Sequence, residues 1–149
     1  MTSAFDQLPA RPRPQASTES APYWAGLREH RLLLQRCTRC GKPRHYPRPL
    51  CDGCYSFDYD WLEASRRGTV HSWTVSHHAF DPAFKSALPY TTVTVDLEEG
   101  VRLQAALRDG DPARLRPGLP VVVEFDDIDA ELTLPCVRIV LYPGSGERA

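Results

Sequence analysis

Four cysteines fall into two Cys-x-x-Cys pairs, Cys37-Thr38-Arg39-Cys40 and Cys51-Asp52-Gly53-Cys54. Two intervening residues let both thiolates of a tight knuckle face one ion, while backbone N–H groups point at the sulfurs. Two such knuckles supply the four ligands of a closed, tetrahedral structural site. The spacing therefore predicts Cys37, Cys40, Cys51 and Cys54 as the ligands of one structural zinc ion. Iron uses the same four-thiolate set, and spacing alone leaves it open. Disulfides fit less well, because the cysteine count of five is odd and the N-terminus lacks the basic start and apolar stretch of a signal peptide. A thioredoxin-type redox pair accounts for one motif but not two, and no βαβ pattern surrounds either. A closed site offers substrate no open position, so the ion is expected to hold structure and not to do chemistry. His45, between the knuckles, is expected at the surface or behind the ligands.

Catalytic patterns are otherwise missing. The chain has no phosphate-cradling Gly-rich loop, no Gly-x-Ser-x-Gly elbow and no His-Glu-x-x-His. Cys136, in Leu134-Pro135-Cys136-Val137, reads as a small core hydrophobe before it reads as a nucleophile. His77 and His78 are adjacent, so on a strand they face opposite sides, and His71 would sit about 20 Å from His77. Asp126, Asp127, Asp129 and Glu131 could bind a hard cation but read better as a solvated hairpin tip. No set of nucleophile, base and oxyanion donor emerges, so no catalytic residue is assigned and the chain is not expected to be an enzyme on its own. Trp73, Phe80, Phe84 and Tyr90 bracket a loop that could serve as a binding surface, with Lys85 its one cation. That composition suits a protein contact better than stacked bases. Arg36, Arg39, Lys42, Arg44 and Arg48 gather around the knuckles, a patch that meets an anionic surface or simply keeps a small metal knuckle soluble.

The elements that position these residues are short. The chain has 149 residues, enough for one sizeable domain or a small domain with an accessory. Its net charge of −1 makes no global case for binding nucleic acid or anionic membrane. Fourteen prolines argue against long helices, and the apolar run Val121-Val122-Val123 is far too short to span a bilayer. The default location is therefore the cytoplasm. Residues 1–21 carry Pro9, Pro12 and Pro14 among small polar residues and read as a flexible arm. Pro22-Tyr23-Trp24 opens a short amphipathic helix, with Tyr23, Trp24, Leu27 and Arg31 at helical spacing. The segment between the knuckles, with Pro43, Pro47 and Pro49, reads as loop.

Beyond residue 66 the pattern is strand-like: Thr69–His77, Tyr90–Leu97, Val101–Arg108, Pro120–Phe125 and Leu132–Leu141. Glu98-Glu99-Gly100 turns the second strand into the third, and Asp111-Pro112 caps a helical turn through Leu115. Five strands with a helix between the third and fourth is the order of an OB-fold barrel, although an open five-stranded sandwich gives the same string.

From about Pro22 onward the chain resembles the zinc-ribbon/OB-fold family known as domain of unknown function thirty-five. The resemblance is carried by Tyr23-Trp24, Leu34-Gln35-Arg36-Cys37-x-x-Cys40-Gly41, Tyr46-Pro47-Arg48 and Cys51-x-x-Cys54. It continues through Trp61, Gly68-Thr69-Val70, Pro89-Tyr90, Leu97-x-x-Gly100-Val101-Arg102, and Gly118 ahead of Val121–Phe125. The resemblance implies a mainly β chain: an N-terminal helix, a rubredoxin-like zinc ribbon and a five-stranded OB-fold barrel. On that basis the chain divides into an arm (1–21), a helix with lead-in strand (22–35), the ribbon (36–62) and the OB domain (63–149). It further implies a non-catalytic partner of a thiolase-like, lipid-transfer-protein-type catalytic subunit, a thiolase or a retro-aldolase. That subunit would act on acyl-CoA thioesters, including those of steroid side-chain breakdown. The CoA thioester would be met only through the complex, and no residue here is assigned to it. A nucleic-acid-binding module is the alternative, since zinc ribbons and OB-folds both serve that purpose.

Overall fold

Proline at the first helical turn and apolar side chains at i and i+4 produce the helix α1, Ala21–Arg28, which buries Tyr23, Gly26 and Leu27. This computed structural model describes residues 10–108 and 110–140. The helix is shorter than the spacing suggests. It stops before His30, whose φ of 56° is left-handed, and Arg31 lies beyond it, paired with Glu63 at 3.1 Å.

Three short antiparallel strands follow: β1 (Leu33–Cys37), β2 (Pro43–Arg44) and β3 (Tyr59–Glu63), in the order β2-β1-β3. β2 falls in the segment read as loop between the knuckles. Its two residues pair with Gln35 and Arg36.

The next five strands are β4 (Arg67–Ser76), β5 (Tyr90–Leu97), β6 (Arg102–Leu107), β7 (Pro120–Asp127) and β8 (Thr133–Ile139). They close a barrel in the order β4-β5-β6-β8-β7, with β7 returning to β4 and only β6 and β8 parallel. Closure decides between the two topologies that the strand order allowed, because an open sandwich would leave two edges. Strict alternation in β5 sends Thr91, Val93, Val95 and Leu97 inward. Gly68 lies where β4 meets β5 and β7, and a Cβ there would run into the Asp96 carbonyl oxygen. A 3-10 helix, Pro112–Arg114, precedes β7 with Asp111 accepting from the Ala113 N–H, as predicted. A second one, Pro82–Ala87, occupies the β4–β5 connection, where the sequence suggests a loop.

Ribbon and barrel share one core. Tyr23, Leu27, Leu32, Leu34 and Ala64 belong to the same buried cluster as Val93, Val95, Val123 and Val137. Each fully buried Leu or Val contributes roughly 1.5–3 kcal/mol, so the helix and β1 are fastened to the barrel by several such side chains. No helix among the described residues is long and apolar enough to cross a membrane.

Candidate metal centre

The first knuckle follows β1 and the second precedes β3, and the pairing of β1 with β3 brings them face to face. The Sγ atoms of Cys37, Cys40, Cys51 and Cys54 all lie within 4.8 Å of one another. Cys37 and Cys54 approach to 3.6 Å, as do Cys40 and Cys51. A tetrahedron with Zn–S bonds near 2.3 Å has S–S edges of about 3.8 Å, whereas a disulfide is about 2.05 Å long. The donor set therefore fits a four-thiolate metal, and the disulfide alternative drops out. Backbone N–H groups favour the thiolates. Those of Cys40 and Arg39 lower Cys37 and those of Gly53 and Cys54 lower Cys51, while hydrogen bonds from the neighbouring thiols leave Cys40 raised.

His45 is not a fifth ligand. It packs between Tyr23 and Tyr46, at ring-centroid distances of 5.2 and 5.7 Å, with Nδ1 buried and without a partner. Burial pushes its imidazole down to about 4. The folded chain holds it neutral while an unfolded histidine titrates near 6.5. Stability is thus complete above that value and is lost as the pH falls toward 4. The loss between pH 7.5 and pH 5 is expected to be about 2 kcal/mol. Urea titrations at both pH values check this, and His45→Phe, which keeps the ring contacts, should remove that share of the dependence.

The five basic residues around the knuckles do not form one surface patch. Arg36 is paired with Asp60 at 2.7 Å and Lys42 with Asp52 at 3.0 Å, while Arg44 is only 2% exposed. Arg44 donates from Nε to Gln35 Oε1 at 2.8 Å and from Nη2 to the Arg48 carbonyl at 2.9 Å, beneath the Tyr59 ring. Gln35 Oε1 also accepts from the Arg48 N–H at 2.8 Å, so one buried amide orders the chain between the knuckles. Charge alone hid this network, although Gln35 sits on the strand facing Arg44.

The acidic cluster is likewise engaged within the fold. Asp129 accepts a two-pronged bond from Arg13 and the Glu131 and Leu132 N–H groups. Asp127 accepts from Thr133 and contacts His30 Nε2 at 2.9 Å, the His30 ring stacking on Phe125. Of the predicted arm, residues 1–9 lie outside the described residues. Within 10–20, Arg11 sits over the Phe84 ring and Arg13 holds Asp129.

Of the loop aromatics, Phe80 is 95% exposed, Phe84 lies 6.2 Å from Tyr90, and Trp73 packs against the core. Cys136 is buried and its thiol is pushed up by that burial, as suits a core residue. His71 is tied to Asp96 at 3.1 Å, and His77 and His78 lie just past the end of β4.

Fold and site together define a ribbon of four converging thiolates fused through a common core to a closed OB barrel. Comparison with known proteins agrees. Residues 24–60 match the ChsH2 rubredoxin-like zinc ribbon domain and residues 61–126 the ChsH2 C-terminal OB-fold domain. A solved structure described as an Ltp2-ChsH2(DUF35) aldolase contains a chain 40% identical, with a TM-score of 0.77 over 85% of this chain and 98% of that one. The chain belongs to this ChsH2/DUF35 family of zinc-ribbon and OB-fold proteins. A probable enoyl-CoA hydratase alpha subunit of Thermomonospora curvata is 41% identical over 92% of the chain. The 3-oxo-4,17-pregnadiene-20-carboxyl-CoA hydratase alpha subunit of Mycobacterium tuberculosis is 37% identical over 77%. The chain spans 43% and 36% of the lengths of these two relatives.

Proposed function

We propose that this chain is a non-catalytic accessory subunit of an enzyme complex. Its partner is a thiolase-fold, lipid-transfer-protein-type enzyme, a thiolase or retro-aldolase, that acts on acyl-CoA thioesters in the cytoplasm. The chain stabilises that complex and helps shape its CoA-ester channel. The reading is carried by the likeness, over nearly the whole of the matched chain, to a component of the Ltp2-ChsH2(DUF35) aldolase. The relative named for a pregnadiene-carboxyl-CoA supports a steroid side-chain or related lipid substrate. Cys37, Cys40, Cys51 and Cys54 hold one structural zinc ion, which fixes the knuckles and leaves no site for substrate. The arm (1–21), the helix and lead-in strand (22–35), the ribbon (36–62) and the OB domain (63–149) are its working parts. Internal pairing of Arg36 and Lys42 weighs against the nucleic-acid module.

The test is reconstitution with a thiolase-fold subunit of the lipid-transfer-protein type. A complex stable on size exclusion, with acyl-CoA cleavage only when both chains are present, is the expected result. Thioester turnover by this chain alone, abolished by Cys136→Ala, would overturn it. So would nucleic-acid binding that weakens steeply with salt in place of complex formation.

A further inference from the structure

Between the ribbon and the β5–β6 turn lies a cleft of about 160 Å³, lined by Lys42, Arg44, His45, Arg48 and the carboxylate of Asp52 on the ribbon side and by Gly100, Val101 and Arg102 opposite. We propose that this cleft is an anion site that takes a phosphate group.

The charge balance carries the argument. Four cations line the cleft: Lys42, Arg44, Arg48 and Arg102. Two carboxylates answer them, Asp52 on Lys42 at 3.0 Å and Asp96 on Arg102 at 2.6 Å. Four against two leaves two positive charges in excess, the complement of a phosphate dianion. The excess sits where it is costly. Arg44 is 2% exposed, and its bonded neighbours, Gln35 Oε1 and the Arg48 carbonyl, are both neutral. A buried guanidinium without a counter-charge is unfavourable unless something supplies one. Two buried nitrogens of cleft residues, Arg44 Nη1 and His45 Nδ1, also have no hydrogen-bond partner. The opposite wall leaves the cleft open to solvent at the turn. Gly100, at φ +84°, turns β5 sharply into β6, and a Cβ at that position would meet nothing within 4 Å. Several guanidinium forks beside a lysine are the usual recognition set for a tetrahedral phosphate, whereas a lone carboxylate would neutralise only half the excess.

The metal-loaded full chain is titrated with inorganic phosphate at constant ionic strength, followed by calorimetry and by thermal melting. Saturable binding that raises the melting temperature is expected. Arg48→Gln keeps the backbone bonds that Arg48 makes to Gln35 and Arg44, and Arg102→Gln alters only the barrel wall. Each should weaken phosphate binding about tenfold while leaving the ligand-free melt near wild type. A parallel titration with a nucleoside monophosphate separates the sources. Tighter binding than free phosphate means the group arrives on a larger molecule, and equal binding means the ion itself is the ligand. No phosphate-dependent shift, or a shift that neither variant weakens, overturns the proposal.

Discussion

Stripping the metal with a strong chelator is expected to unfold the ribbon while the barrel keeps its sheet. The region between Cys37 and Cys54 contains one strand of two residues and is mostly exposed. Its buried polar anchor is the Gln35–Arg44 pair, which also holds the backbone of the exposed Arg48. A structural zinc ion contributes apparent binding energies of roughly 10–16 kcal/mol in small ribbons and fingers, as much as the total stability of a typical domain at about 5–15 kcal/mol. The barrel, in contrast, closes on Val93, Val95, Val123 and Val137, all fully buried, so it keeps its sheet even after losing Leu32 and Leu34 from the shared cluster. Chelation should therefore open Arg39, Lys42 and Arg48 to trypsin and leave most of the β-sheet circular dichroism intact. Cys37→Ser with Cys54→Ser should reproduce this, whereas Cys136→Ser should not. A chelated protein whose ribbon still resists trypsin would mean that side-chain packing alone holds the knuckles.

The convergence of the four cysteines was legible because two Cys-x-x-Cys motifs leave few alternatives, and thiol placement depends mainly on local knuckle shape. Barrel strands were legible where burial alternates, as in Tyr90–Leu97, and because Asp111-Pro112 marks a short helix. The same Asp-Pro signature at Asp81-Pro82 opens a second helical turn, masked in the sequence by the aromatic residues around it. Long-range partners were not legible. Counting Arg44 as a surface charge required ignoring what β1 places opposite it, and strand register is set by tertiary pairing that one sequence does not reveal. The acidic run at 126–131 is the exposed β7–β8 hairpin tip that its composition suggests, but its ion-pair partners were not legible. Its role in holding Arg13 and His30 depends on residues about a hundred positions away.

Leu27→Ala is expected to destabilise ribbon and barrel together. Leu27 is fully buried on α1, in the cluster that joins Leu32 and Leu34 beside the knuckles to Val123 and Val137 in the barrel. Truncating a buried leucine costs about 2–5 kcal/mol, through lost transfer energy and the cavity left behind. At an ordinary urea dependence, a loss near the middle of that range lowers the midpoint by about 1.5 M. The shape of the transition is the sharper readout. Trp24 and Trp61 pack at the edge of the shared cluster and Trp73 lies on barrel strand β4, so fluorescence and circular dichroism sample both halves. One coincident transition with an unchanged slope is expected, because a common core makes unfolding cooperative. Trp24→Phe is the control: it keeps an aromatic ring at the edge of the cluster while removing the bond from Nε1 to Tyr46, and should cost clearly less than Leu27→Ala. Two separated transitions in Leu27→Ala would show that ribbon and barrel hold independent cores joined only by the chain. In that case metal loss would leave the barrel untouched. With a shared core, the unfolding ribbon removes Leu32 and Leu34 from the common cluster, so chelation should also lower the barrel's melting temperature.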